Sequence, residues 1–321
     1  MPKVSVVIPN YNGEKYIKEC MEALLRQSEK AFDVIFVDNA SDDNSLGILN
    51  AYFDKLNLKL IKLDENFGFA KAVNEGIKAS DAEYVILLNN DTHVGKHFVS
   101  ELLIAIMEDD KIFAAQALML KYDSPDKVDS AGDYFCGLGV AFSVGKDKPA
   151  SGYREKKEIF SACAGAAIYR KKIFEEIGYF EEEFFAYLED VDICYRAKLY
   201  GYHNIIAPKA KVLHIGSGSS GSRYNEFKVN LSARNSILLM YRNFAGWQWI
   251  VNFIPVLIGL TIKAMFFIKK KMIKAYVKGI LSAFKKFRTI EKTHSENSRL
   301  NYIKIEKELL YNILIRSGMK R

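Results

Sequence analysis

Short apolar runs alternate with amphipathic stretches through the first 90 residues, and this alternation constrains the fold more than any other feature. Residues 4–8 form a nearly all-apolar, β-branched run, and residues 14–27 follow with apolar side chains at helical spacing. Such runs predict buried parallel strands, and the amphipathic stretches predict crossover helices. The same reasoning predicts strands at 34–37, 58–63 and 84–88 and helices from 41–45 onward and at 69–78. The pattern indicates an α/β fold with a Rossmann-like, mostly parallel central sheet flanked by helices.

The pattern loosens beyond residue 110. It predicts strands at 113–120 and 160–169 and at 210–214, a glycine-rich stretch at 132–145, and helices at 172–177, 190–200, 227–242 and 301–315. We expect the part that follows residue 110 to form a second lobe over the crevice of the sheet.

Polar segments follow three of the predicted strands, at Pro9–Asn12, Asp38–Ser41 and Asn89–Asp91. Ligands of open parallel sheets bind at the carboxyl ends of the strands, so we expect these segments to converge on one edge. An acid in that position is a suitable oxygen ligand for a divalent cation on a diphosphate. A structural Asn-Asp turn is an equally open interpretation.

Two further features accompany these segments. Glu189, Asp190 and Asp192 cluster at the start of a predicted helix, where one carboxylate could act as a general base or where all could simply balance the helix dipole. His214 ends a predicted strand and is either a metal ligand or an ordinary half-buried histidine.

The segment Gly216–Gly221 has the spacing G-x-G-x-x-G, but no acidic residue lies at 229–240 to hold a ribose, so a dinucleotide site is not favoured. A loop that closes with Arg223 over a diphosphate, or a plain linker, remains open.

The positive charge is concentrated at the end of the chain. Residues 1–260 carry 30 Lys and Arg against 35 Asp and Glu, whereas residues 261–321 carry 16 against four. An apolar stretch at 244–268 precedes the lysines at 269–271, a pattern typical of interfacial membrane elements. A crossing, a surface-lying helix pair and a core helix followed by a solvated basic helix all remain open. Nucleic acid is less favoured as a partner of this tail.

Four widely spaced cysteines and a first segment without a secretion signal predict a reducing compartment.

Taken in order, the motifs resemble glycosyltransferase family two of the GT-A fold, and in particular its rhamnosyltransferase-like branch. The resemblance extends from Val4 to about Arg242. It rests on Val6–Asn12, Val37–Ser41, Glu65–Phe69, Asn74–Gly76, Leu87–Asp91, Gly165–Arg170, Phe174–Phe180, Glu189–Asp192 and Pro208–His214.

The resemblance implies roles for individual residues. Asp38 would accept a hydrogen bond from a pyrimidine ring. Asp91 and His214 would bind Mg²⁺ or Mn²⁺, and Asp190 would be the catalytic base of an inverting transfer. Arg223 would help to neutralise the leaving group. The remaining nucleotide-sugar residues would be Pro9, Tyr11, Glu14, Asn66, Gly68 and Asn90, and the acceptor-side residues would be Gly165, Tyr187 and Glu189.

The implied enzyme transfers rhamnose or a hexose from a dTDP- or UDP-sugar to a lipid-linked or polysaccharide acceptor, at the cytoplasmic face of the cell membrane. Residues 1–242 would form the catalytic domain and residues 243–321 a membrane-associating helical tail. Asn89 stands where the family motif has Asp, and its amide oxygen is a weaker metal ligand.

Two other functions would also use parts of this pattern. A nucleotidyltransferase would share the crevice and the metal, but it would carry basic residues in the loop Pro9–Gly13, which has none. A catalytically weak, membrane-bound nucleotide-sugar-binding or scaffolding protein is mildly favoured by Asn89 and opposed by Asp91, Asp190 and His214.

Overall fold

The computed structural model describes residues 3–216, 224–293 and 299–319. The helices are α1 Glu14–Leu25, α2 Ser45–Leu49, α3 Gly68–Lys78, α4 Phe98–Ile106, α5 Lys171–Ile177, α6 Glu189–Leu199, α7 Glu226–Asn243, α8 Gly246–Lys269, α9 Ile273–Lys286 and α10 Arg299–Arg316. The strands are β1 Val4–Asn10, β2 Phe32–Asp38, β3 Leu58–Lys62, β4 Tyr84–Leu88, β5 Thr92–Val94, β6 Ile112–Lys121, β7 Ser124–Ser130, β8 Asp133–Cys136, β9 Val140–Ser143, β10 Lys157–Ile159, β11 Ala166–Arg170 and β12 His203–His214.

One ten-stranded sheet forms the centre of the molecule, in the order β10-β12-β6-β11-β4-β1-β2-β3, with β5 beside β12 and β7 beside β6. The strands β3, β2, β1 and β4 are parallel, as are β6 and β12, whereas β11 runs antiparallel to both of its neighbours. The predicted α/β fold with a sheet flanked by helices is confirmed.

The prediction of a second lobe after residue 110 is wrong. Strands β6, β11 and β12 extend the same sheet, because β6 and β11 are apolar on both faces and need cover from both sides. Only the end of the predicted strand 160–169 pairs in this sheet, as β11. The preceding residues, 162–165, run past the carboxyl end of β4, where the Asn89 amide donates to the Gly165 carbonyl at 2.9 Å. The glycine-rich stretch forms the separate hairpin β8–β9.

Alternate residues of the central strands supply two cores, one on each face of the sheet. Val7, Val37 and Leu87 face the side covered by α3, α5 and α6, and Val6 and Phe36 face the side covered by α1 and α4. This period of two fixes which strand ends point into the crevice.

The last helices pack on this unit. Ile305 and Leu309 of α10 join the core, and Asn312 donates to the Phe135 carbonyl at 2.8 Å. Helix α8 is continuous despite Pro255 and buries only one narrow face, so it is not a core helix.

Candidate active site

Four polar side chains join the carboxyl ends of β1, β2 and β4. Asp38 Oδ1 accepts hydrogen bonds from Asn10 Nδ2 at 3.0 Å and from Ser41 Oγ at 2.7 Å. Asn90 Nδ2 donates to Asn10 Oδ1 at 2.6 Å. All except Ser41 are nearly fully buried. The structure therefore brings the predicted residues Asp38 and Asn90 together through Asn10, which sequence reasoning did not assign a role.

Three other predicted nucleotide-side residues lie beside this network at the start of α1. Glu14 Oε2 accepts from the Asn44 amide at 2.8 Å, which ties α1 to the loop after β2. Pro9 is half-buried in β1, and Tyr11 is exposed at the mouth of the crevice. Pro9 and Tyr11 therefore line the opening, and Glu14 holds its rim.

Asn66 and Gly68 lie at the next strand end. Asn66 Oδ1 accepts from Asn39 Nδ2 at 2.9 Å and from the Gly68 amide at 3.0 Å. Gly68 has φ +86°, and a Cβ added there would come within 2.5 Å of the Phe185 carbonyl oxygen. Only glycine accommodates both the positive φ and this close approach. Gly68 thus lets the loop before α6 contact the nucleotide edge.

Asp91 and His214 meet because β5 and β12 pair antiparallel, with Thr92 opposite His214. His214 Nε2 lies 3.4 Å from Asp91 Oδ1, and His214 Nδ1 lies 2.7 Å from Asp129 Oδ2. Burial alone would lower the pKa of His214. The hydrogen bonds and negative charges of Asp129 and Asp91 outweigh burial and raise this pKa to about 9. Burial likewise opposes ionisation of Asp129, but hydrogen bonds from His214 and Lys146 hold its pKa well below the usual range.

A divalent cation at this position would replace the Nε2 proton that the raised pKa of His214 otherwise retains, because a metal-ligating imidazole is neutral. The spacing of the two side chains suits such a cation. Two ligands at adjacent octahedral positions of Mg²⁺, each roughly 2.1 Å away, lie about 3 Å apart, close to the spacing of Asp91 Oδ1 and His214 Nε2. Asp129 binds the other imidazole nitrogen, which is the usual way in which a carboxylate orients a metal-ligating histidine. The sequence did not predict a role for Asp129, because Asp129 belongs to no motif. Its contact with His214 depends on the pairing of β7 with β6.

The segment 162–165 lies between the end of β4 and the predicted base. A Cβ on Gly165 would come within 2.9 Å of Asn89 Nδ2, and the Ala164 amide donates to Asp190 Oδ2 at 3.4 Å. The predicted acceptor-side residue Gly165 therefore lies against Asn89 at the end of β4, and the residue before it, Ala164, contacts the predicted base Asp190.

Asp190 is paired with a second acid that the sequence did not reveal. The carboxylates of Asp190 and Asp133 and the thiol of Cys163 have their reactive atoms within 4.8 Å of one another. Burial raises the pKa of Cys163 well above its ordinary value, so the thiol stays protonated and is a poor metal ligand. Burial and the Asp133 carboxylate raise the pKa of Asp190 to about 7. Two such carboxylates titrate as a pair that holds one proton near neutral pH.

Glu189 and Tyr187 flank this pair. Burial and the neighbouring Asp190 raise the pKa of Glu189 well above its ordinary value, which favours the neutral acid. Glu189 Oε2 has no hydrogen-bond partner among the described residues. Tyr187 is half-buried, with φ +72°.

The loop before α6 has an unusual backbone, since Phe185, Tyr187 and Leu188 all have positive φ. Asn235 Nδ2, on α7, lies within 2.9 Å of the carbonyls of residues 184, 186 and 187. Arg234 Nη2 donates to the carbonyls of residues 183 and 184. Residues in such conformations persist only where their surroundings hold them. The Arg234–Asn235 pair therefore fixes the entry to the helix that carries Asp190.

The predicted diphosphate residue Arg223 lies outside the described residues, as does most of the glycine-rich segment around it. Lys228, in the first turn of α7, is close enough to Asp91 for the carboxylate to influence its pKa, although burial is the larger effect and lowers that pKa. Lys228 is a cation near the predicted metal site that the sequence did not single out.

Comparison with known proteins decides the family. Residues 5–178, just over half of the chain, match the family described as "Glycosyl transferase family 2". The chain belongs to glycosyltransferase family 2. The prediction of a glycosyltransferase enzyme is confirmed, and the nucleotidyltransferase and non-enzymatic alternatives are set aside. The narrower rhamnosyltransferase-like branch stays a prediction.

Two curated relatives of this family 2 chain are poly(ribitol-phosphate) glycosyltransferases by name. The poly(ribitol-phosphate) beta-N-acetylglucosaminyltransferase TarS of Staphylococcus aureus is 36% identical over 111 residues, covering 34% of this chain and 19% of TarS. The poly(ribitol-phosphate) beta-glucosyltransferase of Bacillus spizizenii is 29% identical over 224 residues, covering 64% and 34%. The chain thus spans about one third of one relative and one fifth of the other.

Among solved structures, the family 2 chain resembles GalNAc-T7 with UDP, GalNAc and Mn²⁺, with a TM-score of 0.66 at 16% identity, over 98% of this chain and 58% of that one. This similarity confirms the GT-A-type fold.

Proposed function

We propose that this family 2 enzyme is an inverting glycosyltransferase that moves a hexose or N-acetylhexosamine from a UDP-sugar to a hydroxyl group of a cell-envelope polymer. The observation that carries the proposal is the meeting of Asp91, His214 and the segment next to Asp190 at the carboxyl end of β4. The names of the two curated relatives support a polymer acceptor, and the UDP and GalNAc bound in the similar GalNAc-T7 structure support a UDP-sugar donor. Rhamnose on dTDP is the alternative donor, from the resemblance to the rhamnosyltransferase-like branch.

The residues divide the work as follows. Asp38, Asn10 and Asn90 shape the nucleotide edge, and Tyr11 offers an aromatic face at its mouth. Asp190 takes the proton from the acceptor hydroxyl, whose oxygen then bonds to the anomeric carbon while the bond to the diphosphate breaks with its electron pair. A single displacement of this kind inverts the anomeric configuration.

Asp91 and His214 would hold Mg²⁺ or Mn²⁺, which supplies positive charge for the diphosphate leaving group. Lys228 would add positive charge near Asp91. Arg223 stays the predicted second cation for the leaving group. The raised pKa of Asp190 suits a base at neutral pH, because it matches proton affinity to the working pH.

The test is nucleoside diphosphate release by the purified full chain from a panel of UDP- and dTDP-sugars, with a wall-polymer acceptor and with Mn²⁺, Mg²⁺ or EDTA. We expect turnover of UDP-sugars that requires metal and is lost in Asp190→Asn and Asp91→Ala. Asp54→Asn, an exposed acid between α2 and β3, is the matched control. Turnover that survives Asp190→Asn would contradict the proposal. Turnover restricted to dTDP-sugars would show that the donor is a dTDP-sugar, such as dTDP-rhamnose, instead of a UDP-sugar.

We also propose that the enzyme acts at the cytoplasmic face of the cell membrane. The four cysteines are free thiols, which suits a reducing compartment. Helix α8 is long and apolar enough to cross a membrane by length and composition.

A further inference from the structure

Helix α8 is bound along its length to the rest of the molecule, although its 24 residues could span a bilayer. Its buried residues, Gln248, Asn252, Val256 and Gly259, recur every three or four positions and form one stripe. Gln248 Nε2 and Asn252 Nδ2 donate to the Glu306 carboxylate of α10 at 2.8 and 2.9 Å. These hydrogen bonds hold α8 against the surface of the folded unit. Helix α8 therefore cannot leave that unit to cross a bilayer without breaking buried polar contacts.

The same stripe continues further along the helix. Gly259 packs so closely on the β8–β9 turn that an added Cβ would lie 2.1 Å from the Leu138 carbonyl oxygen. Lys263 turns inward toward Ser236, at 3.4 Å, and burial lowers the pKa of Lys263 to about 8. The only charged side chain in the middle of α8 therefore faces the protein.

The opposite face of α8 is apolar and exposed. Ile250 is 80% exposed, and Ile254, Phe253, Leu257, Ile262 and Met265 are each more than half exposed. Helix α9 adds Leu281 and Phe284, both more than half exposed. An exposed apolar surface of this extent marks an interaction site.

Lysines border this surface. A groove of about 640 Å³ along α9 is lined by Ile273, Val277 and Leu281 together with Lys274, Lys278 and Lys285. From Gly246 to Ile290 the chain has nine Lys and Arg and no Asp or Glu. Apolar side chains bordered by lysines complement a bilayer surface with anionic headgroups, whereas a protein partner would have to supply an equally apolar and acidic face.

We propose that the exposed face of α8 and α9 docks in the plane of an anionic lipid bilayer, with the apolar side chains in the interface and the lysines of α9 on lipid phosphates. The α8–α9 face would be a monotopic anchor rather than a membrane crossing. This inference does not depend on the donor or acceptor of the enzyme.

The first experiment is flotation of the full chain with vesicles of phosphatidylcholine, with and without phosphatidylglycerol. We expect at least tenfold stronger binding to the anionic vesicles, and at least a tenfold loss in Ile254→Asp/Leu281→Asp and in Lys274→Glu/Lys278→Glu. Ile104→Asp, at a 59% exposed position on α4, is the matched control and should bind as the wild type does. Wild-type levels of thermal unfolding temperature and sugar-nucleotide turnover in the absence of vesicles would show that each variant is folded.

Equal binding of the wild type and Ile254→Asp/Leu281→Asp, or no binding by the wild type, would overturn the proposal. So would a stable dimer in solution that the same double variant dissolves, because the face would then belong to a second copy.

A second experiment separates docking from crossing. Environment-sensitive fluorophores on Ile250→Cys, Leu257→Cys and Met265→Cys would be quenched by lipids labelled at different depths. We expect the same shallow depth at all three positions. A probe at Leu257 that is deepest, at the bilayer centre, would establish a crossing and overturn the proposal.

Discussion

The imidazole of His214 lies between two carboxylates, with Nδ1 2.7 Å from Asp129 and Nε2 3.4 Å from Asp91. Asp129 fixes which nitrogen faces the crevice, so that Nε2 and Asp91 Oδ1 present a pair of ligands on one side. Asp129 in turn is held by Lys146 at 2.9 Å. The orientation of the predicted metal ligand thus depends on β7 and on the loop after β9, both far from it in sequence.

We expect Asp129→Asn to weaken metal activation, because an amide holds the imidazole less firmly than a carboxylate does. The Mn²⁺ concentration for half-maximal turnover should rise roughly 10- to 100-fold, with little change in turnover at saturating Mn²⁺. Asp126→Asn, on the same strand but exposed, should leave the metal dependence unchanged. An unchanged Mn²⁺ requirement in Asp129→Asn would show that Asp129 does not act through the metal site.

The dependence of turnover on pH should report the Asp133–Asp190 pair. The base must be ionised, and its pKa is raised to about 7, so turnover should fall about tenfold per pH unit below 7 and level off above it. Removing the charge in Asp133→Asn should lower the pKa of Asp190 and move this fall to lower pH. The measurement is the dependence of kcat on pH at saturating substrate, for the wild type and for Asp133→Asn.

Other ionisable groups near Asp190 are Cys163, Cys194 and Tyr169, which stay protonated because burial raises their pKa values. Burial and Asp190 also raise the pKa of Glu189. Glu189→Gln is the control, since it removes an acid that we expect to be neutral already. If the pH at which kcat falls is unchanged in Asp133→Asn, the two carboxylates titrate independently, and the proposed pairing is contradicted.

Asn235 is expected to be a positioning residue for the base. Asn235→Leu leaves carbonyls of the loop before α6 without their donor, at a cost of about 1–3 kcal/mol for each buried group that water cannot reach. We expect kcat to fall at least tenfold while the affinity for UDP, measured by calorimetry, changes little. Asn230→Leu, which loses one contact between α7 and α9, is the comparison. Equal losses of kcat and UDP affinity would point to general unfolding instead.

Gly68→Ala should damage both the fold and the site. The positive φ alone costs about 1–3 kcal/mol for a side-chain-bearing residue, and the new Cβ would clash with the Phe185 carbonyl. We expect a lower unfolding temperature and weaker UDP binding. At Gly152, which has negative φ and no atom within 4 Å of an added Cβ, the same substitution should be neutral. A stable Gly68→Ala variant with normal UDP affinity would contradict this role.

Much of the fold could be predicted because its first strands are local and strongly patterned. The run 84–88 is a buried strand with the predicted bounds. Asp38 ends β2, and Asn90 and Asp91 follow β4, close to where they were expected. The part after residue 110 was harder, because strand order depends on pairing between distant segments. Nothing local indicates that β12 lies beside β6 and β5.

The candidate site could be predicted only where a motif named it. Asp91 and His214 were expected together on the strength of a resemblance, and the structure places them 3.4 Å apart. Asp129 lies in β7 and Asp133 begins β8, in segments without a periodic signal, and Asn235 lies within an ordinary helical pattern. Their functions come from tertiary contacts, which a sequence pattern does not show.

The pairing of β12 with β5 also sets an order for biosynthesis. The ends of β1, β2 and β4 are all made within the first 91 residues, whereas His214 leaves the ribosome more than a hundred residues after Asp91. A nascent chain can therefore assemble its nucleotide edge early, but the cation pair forms only when β12 is complete. Any translation product that stops before His214 would retain the strand ends of the predicted nucleotide edge and lack one of the two predicted metal ligands.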